Sequence, residues 1–150
     1  MRRQTRGYTQ AFETTASAAT LWRVLTDAAS LRLWYAAEAL VEPRPGGRYC
    51  VTSRLFGRRE ATIEQFEPGK RMQLLFDPTP DWPAPPEGAL LEDFLIDEHK
   101  GQRMLRVMGS GIPATEEWER ALVRLRTGWA LAFGQLQMRL RDGTIREAVP

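Results

Sequence analysis

From Thr115 onward, apolar residues recur every third or fourth position, and Trp118, Leu122, Leu125, Trp129, Ala132, Phe133, Leu136 and Leu140 fall on one stripe. Glu116, Glu119, Arg120, Arg124 and Arg126 lie mostly away from it, where Arg120, Arg124 and Glu116 read as a solvated i, i+4 ladder. Thr115 is placed as an N-cap, Glu116 and Glu117 suit the positive end of a helix, and Arg139, Arg141 and Gly143 mark its close. A helix from Thr115 to Leu140 would be about 39 Å long. An apolar stripe of that length has to be covered, and a sheet lying along it is the economical cover.

The preceding residues supply such a sheet. Gly7 to Thr14 alternates Tyr8, Gln10, Phe12 and Thr14 on one face with Thr9, Ala11 and Glu13 on the other, the period-two pattern of a half-buried strand. Ser17 can cap a short helix carrying Leu21, Trp22 and Leu25, and a second short helix is predicted over Ala29 to Tyr35. Ala37 to Glu42 reads as extended, and Pro43 to Gly47 is a turn by composition. Five further strands are predicted, Arg48 to Arg54, Arg59 to Glu67, Lys70 to Phe76, Leu90 to Glu98 and Gln102 to Gly109, joined mostly by hairpin-length turns. Pro78 to Gly88 is the exception: its density of prolines excludes helix and central strand, so it reads as a semi-rigid exposed loop. The fold class expected is therefore α+β, with a curved antiparallel sheet of about six to seven strands wrapped around the C-terminal helix and two short helices after the first strand. Residues 1–150 are read as a single domain, with a basic N-terminal tail at 1–6 and a C-terminal tail at 141–150.

Composition narrows the function. With 43% apolar and 27% charged residues in 150, the chain is built to fold rather than to stay disordered. No run approaches the roughly 18 apolar residues of a membrane span, and Met1 to Arg6 leads into no export signal core. A single cysteine, Cys50, permits no internal disulfide and fits a reducing cytoplasm. The formal charge is only +2, with arginines spread along the chain, so neither nucleic acid nor membrane is expected as a partner.

Several short blocks resemble one known family. Thr20-Leu21-Trp22-Arg23-Val24-Leu25-Thr26-Asp27, then Leu31-Arg32-Leu33-Trp34-Tyr35, resembles the opening of the START-like superfamily, also called SRPBCC or helix-grip proteins. Pro45-Gly46-Gly47-Arg48-Tyr49, Glu67-Pro68-Gly69-Lys70-Arg71-Met72, Ser110-Gly111-Ile112, and Gly128-Trp129 with Phe133 and Leu136 resemble its later blocks, in the same order. The branch carrying this set is the one named for homology to the activator of heat-shock protein 90 ATPase. The resemblance implies a helix-grip fold with a cavity between sheet and helix. The superfamily also includes lipid carriers, polyketide cyclases, hormone receptors and co-chaperone modules, so function has to be argued from the site.

Strand alternation predicts the lining of that cavity. Tyr49, Val51 and Ser53 share one inward face, with Met72, Leu74 and Phe76 on the next strand, Glu92, Phe94 and Ile96 on a third, and Leu105, Val107 and Gly109 on the last. The long helix adds Trp118, Leu122, Leu125, Trp129 and Phe133, and the short helices add Trp34 and Tyr35. Such an apolar, aromatic wall suits a small apolar or aromatic ligand, although the same residues could simply pack as core. Glu92 stands out. Buried there, its pKa would rise and it could act as an acid or base beside the Tyr49 hydroxyl, in the manner of a polyketide cyclase. The plainer reading makes it a strand-end carboxylate at the rim.

The other chemistry-bearing residues point elsewhere. His99, the lone histidine, falls in the charged turn Asp97 to Gly101 and should be solvated; one histidine supports no multi-histidine metal site. Cys50 reads as an inert thiol. Gly109 to Ala114 has the letters of a dinucleotide fingerprint but no parallel strand after its helix. No cofactor or metal is expected. The function predicted is binding of a small, mostly apolar or aromatic molecule without a defined catalytic centre. A cyclase-like enzyme and a chaperone-associated interaction module are the alternatives, and a homodimer stays open.

Overall fold

The computed structural model describes residues 5–84 and 90–149. Its elements are β1 (Thr5–Thr14), α1 (Ala18–Thr26), α2 (Ala28–Leu31), β2 (Glu38–Val41), β3 (Arg48–Ser53), β4 (Gly57–Glu67), β5 (Arg71–Phe76), β6 (Leu90–His99), β7 (Gln102–Pro113) and α3 (Glu116–Arg141). All seven strands form one antiparallel sheet in the order β1-β7-β6-β5-β4-β3-β2. Hairpin connections produce most of that order, and β1 closes it by pairing with the last strand. The α+β helix-grip expectation is met.

The buried faces follow the alternation in the sequence. β3 buries Tyr49, Val51 and Ser53, β6 buries Glu92, Phe94 and Ile96, and β7 buries Leu105, Val107 and Gly109. α3 turns its apolar stripe onto this surface, with Phe12 meeting Phe133 edge-on and Phe94 meeting Trp129 the same way. Ser17 caps α1 by accepting from the Thr20 amide at 3.1 Å, and Asp27 both ends α1 and caps α2 through the Ser30 amide.

The sequence reading differs from the structure at several places. The second short helix is a single turn, because the Tyr35 and Ala36 amides both return to the Leu31 carbonyl and wind the chain out of helix. β7 continues past Gly109 to Pro113, since β1 begins early enough for Thr5 to pair with Pro113. Arg6 accordingly belongs to a strand rather than a free tail: its guanidinium donates to the Pro113 carbonyl at 3.0 Å and pairs with Glu119. Residues 1–4 of the expected tail lie outside the described residues, as do 85–89 of the proline-rich loop. The described part of that loop is docked, not merely exposed. Trp82 donates its indole N–H to the Phe56 carbonyl at 2.9 Å, and Asp81 accepts from the Arg58 amide at 2.7 Å. Arg124, expected on a solvated face, instead donates to the Leu55 carbonyl at 2.8 Å and lies 4.7 Å from the Trp82 ring centre. The segment after α3 is also tied down: Ile145 is buried, and Glu147 accepts from the Ser17 amide and the Thr20 hydroxyl.

Candidate functional site

Among the described residues the charged side chain buried deepest is that of Glu92, only 1% exposed, so the rim position favoured by the sequence is corrected. Its place follows from register. Tyr8, Gly109, Glu92 and Leu74 form one row across β1, β7, β6 and β5, all on the helix-facing side. A Cβ on Gly109 would fall 2.0 Å from the Tyr8 ring. The missing side chain therefore lets the Tyr8 phenol cross over β7 and reach the carboxylate two strands away.

Three donors converge on Glu92. The Tyr8 hydroxyl donates to Oε2, the Trp129 indole N–H donates to the same oxygen at 3.0 Å, and Arg59 Nη1 lies 3.2 Å from both oxygens. A buried carboxylate is tolerable only with this degree of pairing. Arg59 comes from β4, in phase with Ala61 and Ile63, and its side chain is 12% exposed. The guanidinium stacks 3.8 Å from the centre of the Phe76 ring, with Phe56 and Trp82 beyond at 5.4 and 5.7 Å. Burial opposes the charge on Arg59, but the field of Glu92, helped by Tyr8 and Tyr35, more than offsets it and its pKa moves up. Burial first, and the Glu92 charge second, push the Tyr8 phenol well above its ordinary range, which keeps it a donor. Tyr35 is pushed upward by the same two causes, and Tyr49 by burial and then by Tyr35 and Glu92.

The partner expected for Glu92 was Tyr49; its hydroxyl donates instead to the Leu25 carbonyl at 2.6 Å, tying β3 to α1. The hydroxyl on Glu92 is Tyr8's. Glu92 lines, with Tyr35, Tyr49, Leu74, Phe76 and Arg59, a cavity of about 10 Å³. Across Arg59 and Phe76 is a second void of about 20 Å³, reached by Trp82, Trp118, Leu125 and Leu90. Each has room for about one water. The other residues predicted to line a ligand site, Trp34, Phe94, Leu105, Val107, Leu122, Trp129 and Phe133, are buried but border neither void. Trp34 packs at a tilt against Tyr35 and donates its indole N–H to the Val24 carbonyl at 3.1 Å. Gly128 leaves space for Phe56, whose ring would lie 2.4 Å from a Cβ there.

A roomier groove of about 520 Å³ lies elsewhere, between the end of β1 and the segment after α3, with Thr14, Gln137, Arg141 and Glu147 along it. It is an open surface trough without a converging buried polar group, so Glu92 marks the candidate site. His99 is exposed at the tip of the β6–β7 hairpin, and Cys50 is a free thiol on the opposite face from Tyr49. Among the described residues no group of three or more His, Cys, Asp or Glu side chains could hold a metal, and no helix is long and apolar enough to cross a membrane.

Comparison with known proteins agrees with this architecture. Similar solved structures include protein MLL2253 of Mesorhizobium loti, 20% identical, with a TM-score of 0.76 over 91% of this chain and 98% of that one. PFC0360w, an HSP90 activator from Plasmodium falciparum, is 17% identical with a TM-score of 0.71, covering 88% of this chain and 94% of that one. CalU16 of Micromonospora echinospora is 19% identical with a TM-score of 0.70, covering 89% and 75%. No curated protein matches by sequence. At these identities the likeness establishes the fold alone, but a family model covers residues 15–141, all of α1 through α3, and the chain belongs to the family of activator of Hsp90 ATPase homolog 1-like proteins.

Proposed function

We propose that the chain, acting as one helix-grip unit in the cytoplasm, binds a small, mostly apolar or aromatic molecule between the sheet and α3, beside the Arg59–Glu92 pair. The observation that carries this reading is the placement of a buried ion pair among aromatic faces, next to a docked but irregular segment. Arg59 and Phe76 form the partition between the two voids, and Trp82 covers the outer one. Moving Trp82 gives up one neutral hydrogen bond and two cation–π contacts, a cost of about 2 to 3 kcal/mol that modest binding can meet. Cyclase-like turnover has less support: Glu92 is already engaged by three donors, and the Tyr49 hydroxyl faces a backbone carbonyl.

A thermal-shift screen of aromatic compounds tests the proposal. Wild type should be stabilised by some of them, and Trp82→Ala, with the outer void opened, should bind the same compounds more tightly. No stabilisation of either protein would refute it. The second reading, an interaction module for a chaperone, is favoured by the small volume of both voids and by the family's description. It predicts a changed Hsp90 ATPase rate on adding this protein.

A further inference from the structure

Of three buried side-chain donors left without a partner among the described residues, Arg6 Nε, Arg139 Nε and Trp118 Nε1, the last belongs to a residue that borders a void. Trp118, in the first turn of α3, is fully buried, and its indole N–H has no acceptor among the described residues. A buried donor without a partner is rare in folded proteins and calls for an occupant. Trp118 borders the outer void together with Phe76, Leu90, Leu125, Arg59 and Trp82. Asp77 reaches the same void, but its carboxylate is held by Arg48 at 2.7 Å. Two guanidinium groups attend the ring that covers this space, Arg124 at 4.7 Å and Arg59 at 5.7 Å from the Trp82 centre. Cations so placed favour an aromatic face.

We propose that the space between Trp118 and Trp82 takes an aromatic ring bearing a hydrogen-bond acceptor, such as a carbonyl oxygen. The acceptor meets the Trp118 indole N–H, and the ring takes the place of Trp82 against Arg59 and Arg124. The inference rests on the ligand-binding reading above and narrows its chemistry. A void of about 20 Å³ cannot hold a ring as it stands, so Trp82 has to swing out. That exchange replaces one aromatic with another over the same cations and gives the unpartnered donor its acceptor. An ether or ketone attached to a fused ring system fits better than a plain hydrocarbon, which leaves the Trp118 N–H without an acceptor.

The test uses a matched pair, 2-acetylnaphthalene and 2-ethylnaphthalene, titrated into the whole chain and followed by calorimetry and by the tryptophan indole resonances. Wild type should bind the acetyl compound about fivefold more tightly, the effect of one neutral hydrogen bond. In Trp118→Phe that preference should vanish while the ethyl compound binds as before. Should Trp118→Phe fail to fold, wild type alone decides: the assigned Trp118 indole proton should move downfield with the acetyl compound and stay put with the ethyl one. Equal affinity for both compounds overturns the acceptor inference and leaves the ligand-binding reading standing. An acetyl compound that binds without moving the Trp118 proton, or a persistent water contact at that proton, overturns it as well. If neither compound binds wild type or Trp82→Ala, both readings fall.

Discussion

Replacing Arg59 with leucine tests whether the buried ion pair organises the interior. Leucine keeps much of the aliphatic volume, so the change chiefly removes the charge opposite Glu92 and the stack on Phe76. Removing one partner of a buried pair costs about 3 to 5 kcal/mol, because the other charge is left behind in a low-dielectric site. Tyr8 and Trp129 still donate to Glu92, which favours the lower end; the lost cation–π stack adds about 0.5 to 1 kcal/mol. Taking about 4 kcal/mol, and about 2 to 4 °C per kcal/mol for a domain of this size, the melting temperature should fall by about 8 to 16 °C. Urea unfolding at unchanged m-value gives the free energy directly. The double substitution Arg59→Leu with Glu92→Leu should recover most of the loss, since no orphan charge remains. A penalty below about 1 kcal/mol, the range of exposed pairs, would refute the buried arrangement. So would a double variant as unstable as the sum of its parts.

Two further outcomes follow from named contacts. Gly109→Ala should cost about 1 to 3 kcal/mol or more by driving a methyl group into the Tyr8 ring, and the penalty should shrink in a Tyr8→Ala background; chemical denaturation of the four proteins gives the coupling. Burial works against the Glu147 charge, but the donors from Thr20 and Ser17 outweigh it and hold the pKa below the ordinary glutamate value, so the stability this carboxylate contributes is present above that value and lost as pH falls through the folded one. Glu147→Gln should therefore be less stable than wild type at pH 7 and converge with it in acid, which melting curves from pH 7 to 3 would show; a constant difference across that range would count against the assignment.

The order of elements and their buried faces were legible because each depends on local periodicity. Tyr49, Val51 and Ser53 occupy the buried face that alternation assigned, and Trp118 to Leu136 lie on the buried stripe. The site was less legible, since it is made by residues far apart in sequence. Tyr8 and Trp129 meet on Glu92 only through strand order, and strand order cannot be read from alternation within any one strand. Two signals were nonetheless present: Arg59 shares the inward phase of Ala61 and Ile63, and Gly109 is the one residue without a side chain in a row that also holds Tyr8 and Glu92. The docking of Trp82 had no such signal, because proline density reports what a segment cannot form and says nothing of what it rests on.

These placements also decide where the interior can open most easily. On the α3 side, access to Glu92 would require moving Trp129, which is fully buried, packs against Phe56, Phe94, Phe133, Trp34 and Tyr35, and holds the carboxylate itself. Loss of a packed tryptophan costs about 3 to 5 kcal/mol before the stranded carboxylate is counted. On the α1 side, Tyr49 and Trp34 are each pinned to a helix carbonyl. At the proline-rich segment a partly exposed ring is held by one indole hydrogen bond and two cation–π contacts, with Asp81 fastening the adjacent turn to the Arg58 amide. Opening there leaves the sheet, α3 and the three donors to Glu92 undisturbed. A molecule entering by that route would meet Arg59 and Phe76 first, so the ion pair would sit at the inner end of the opened space.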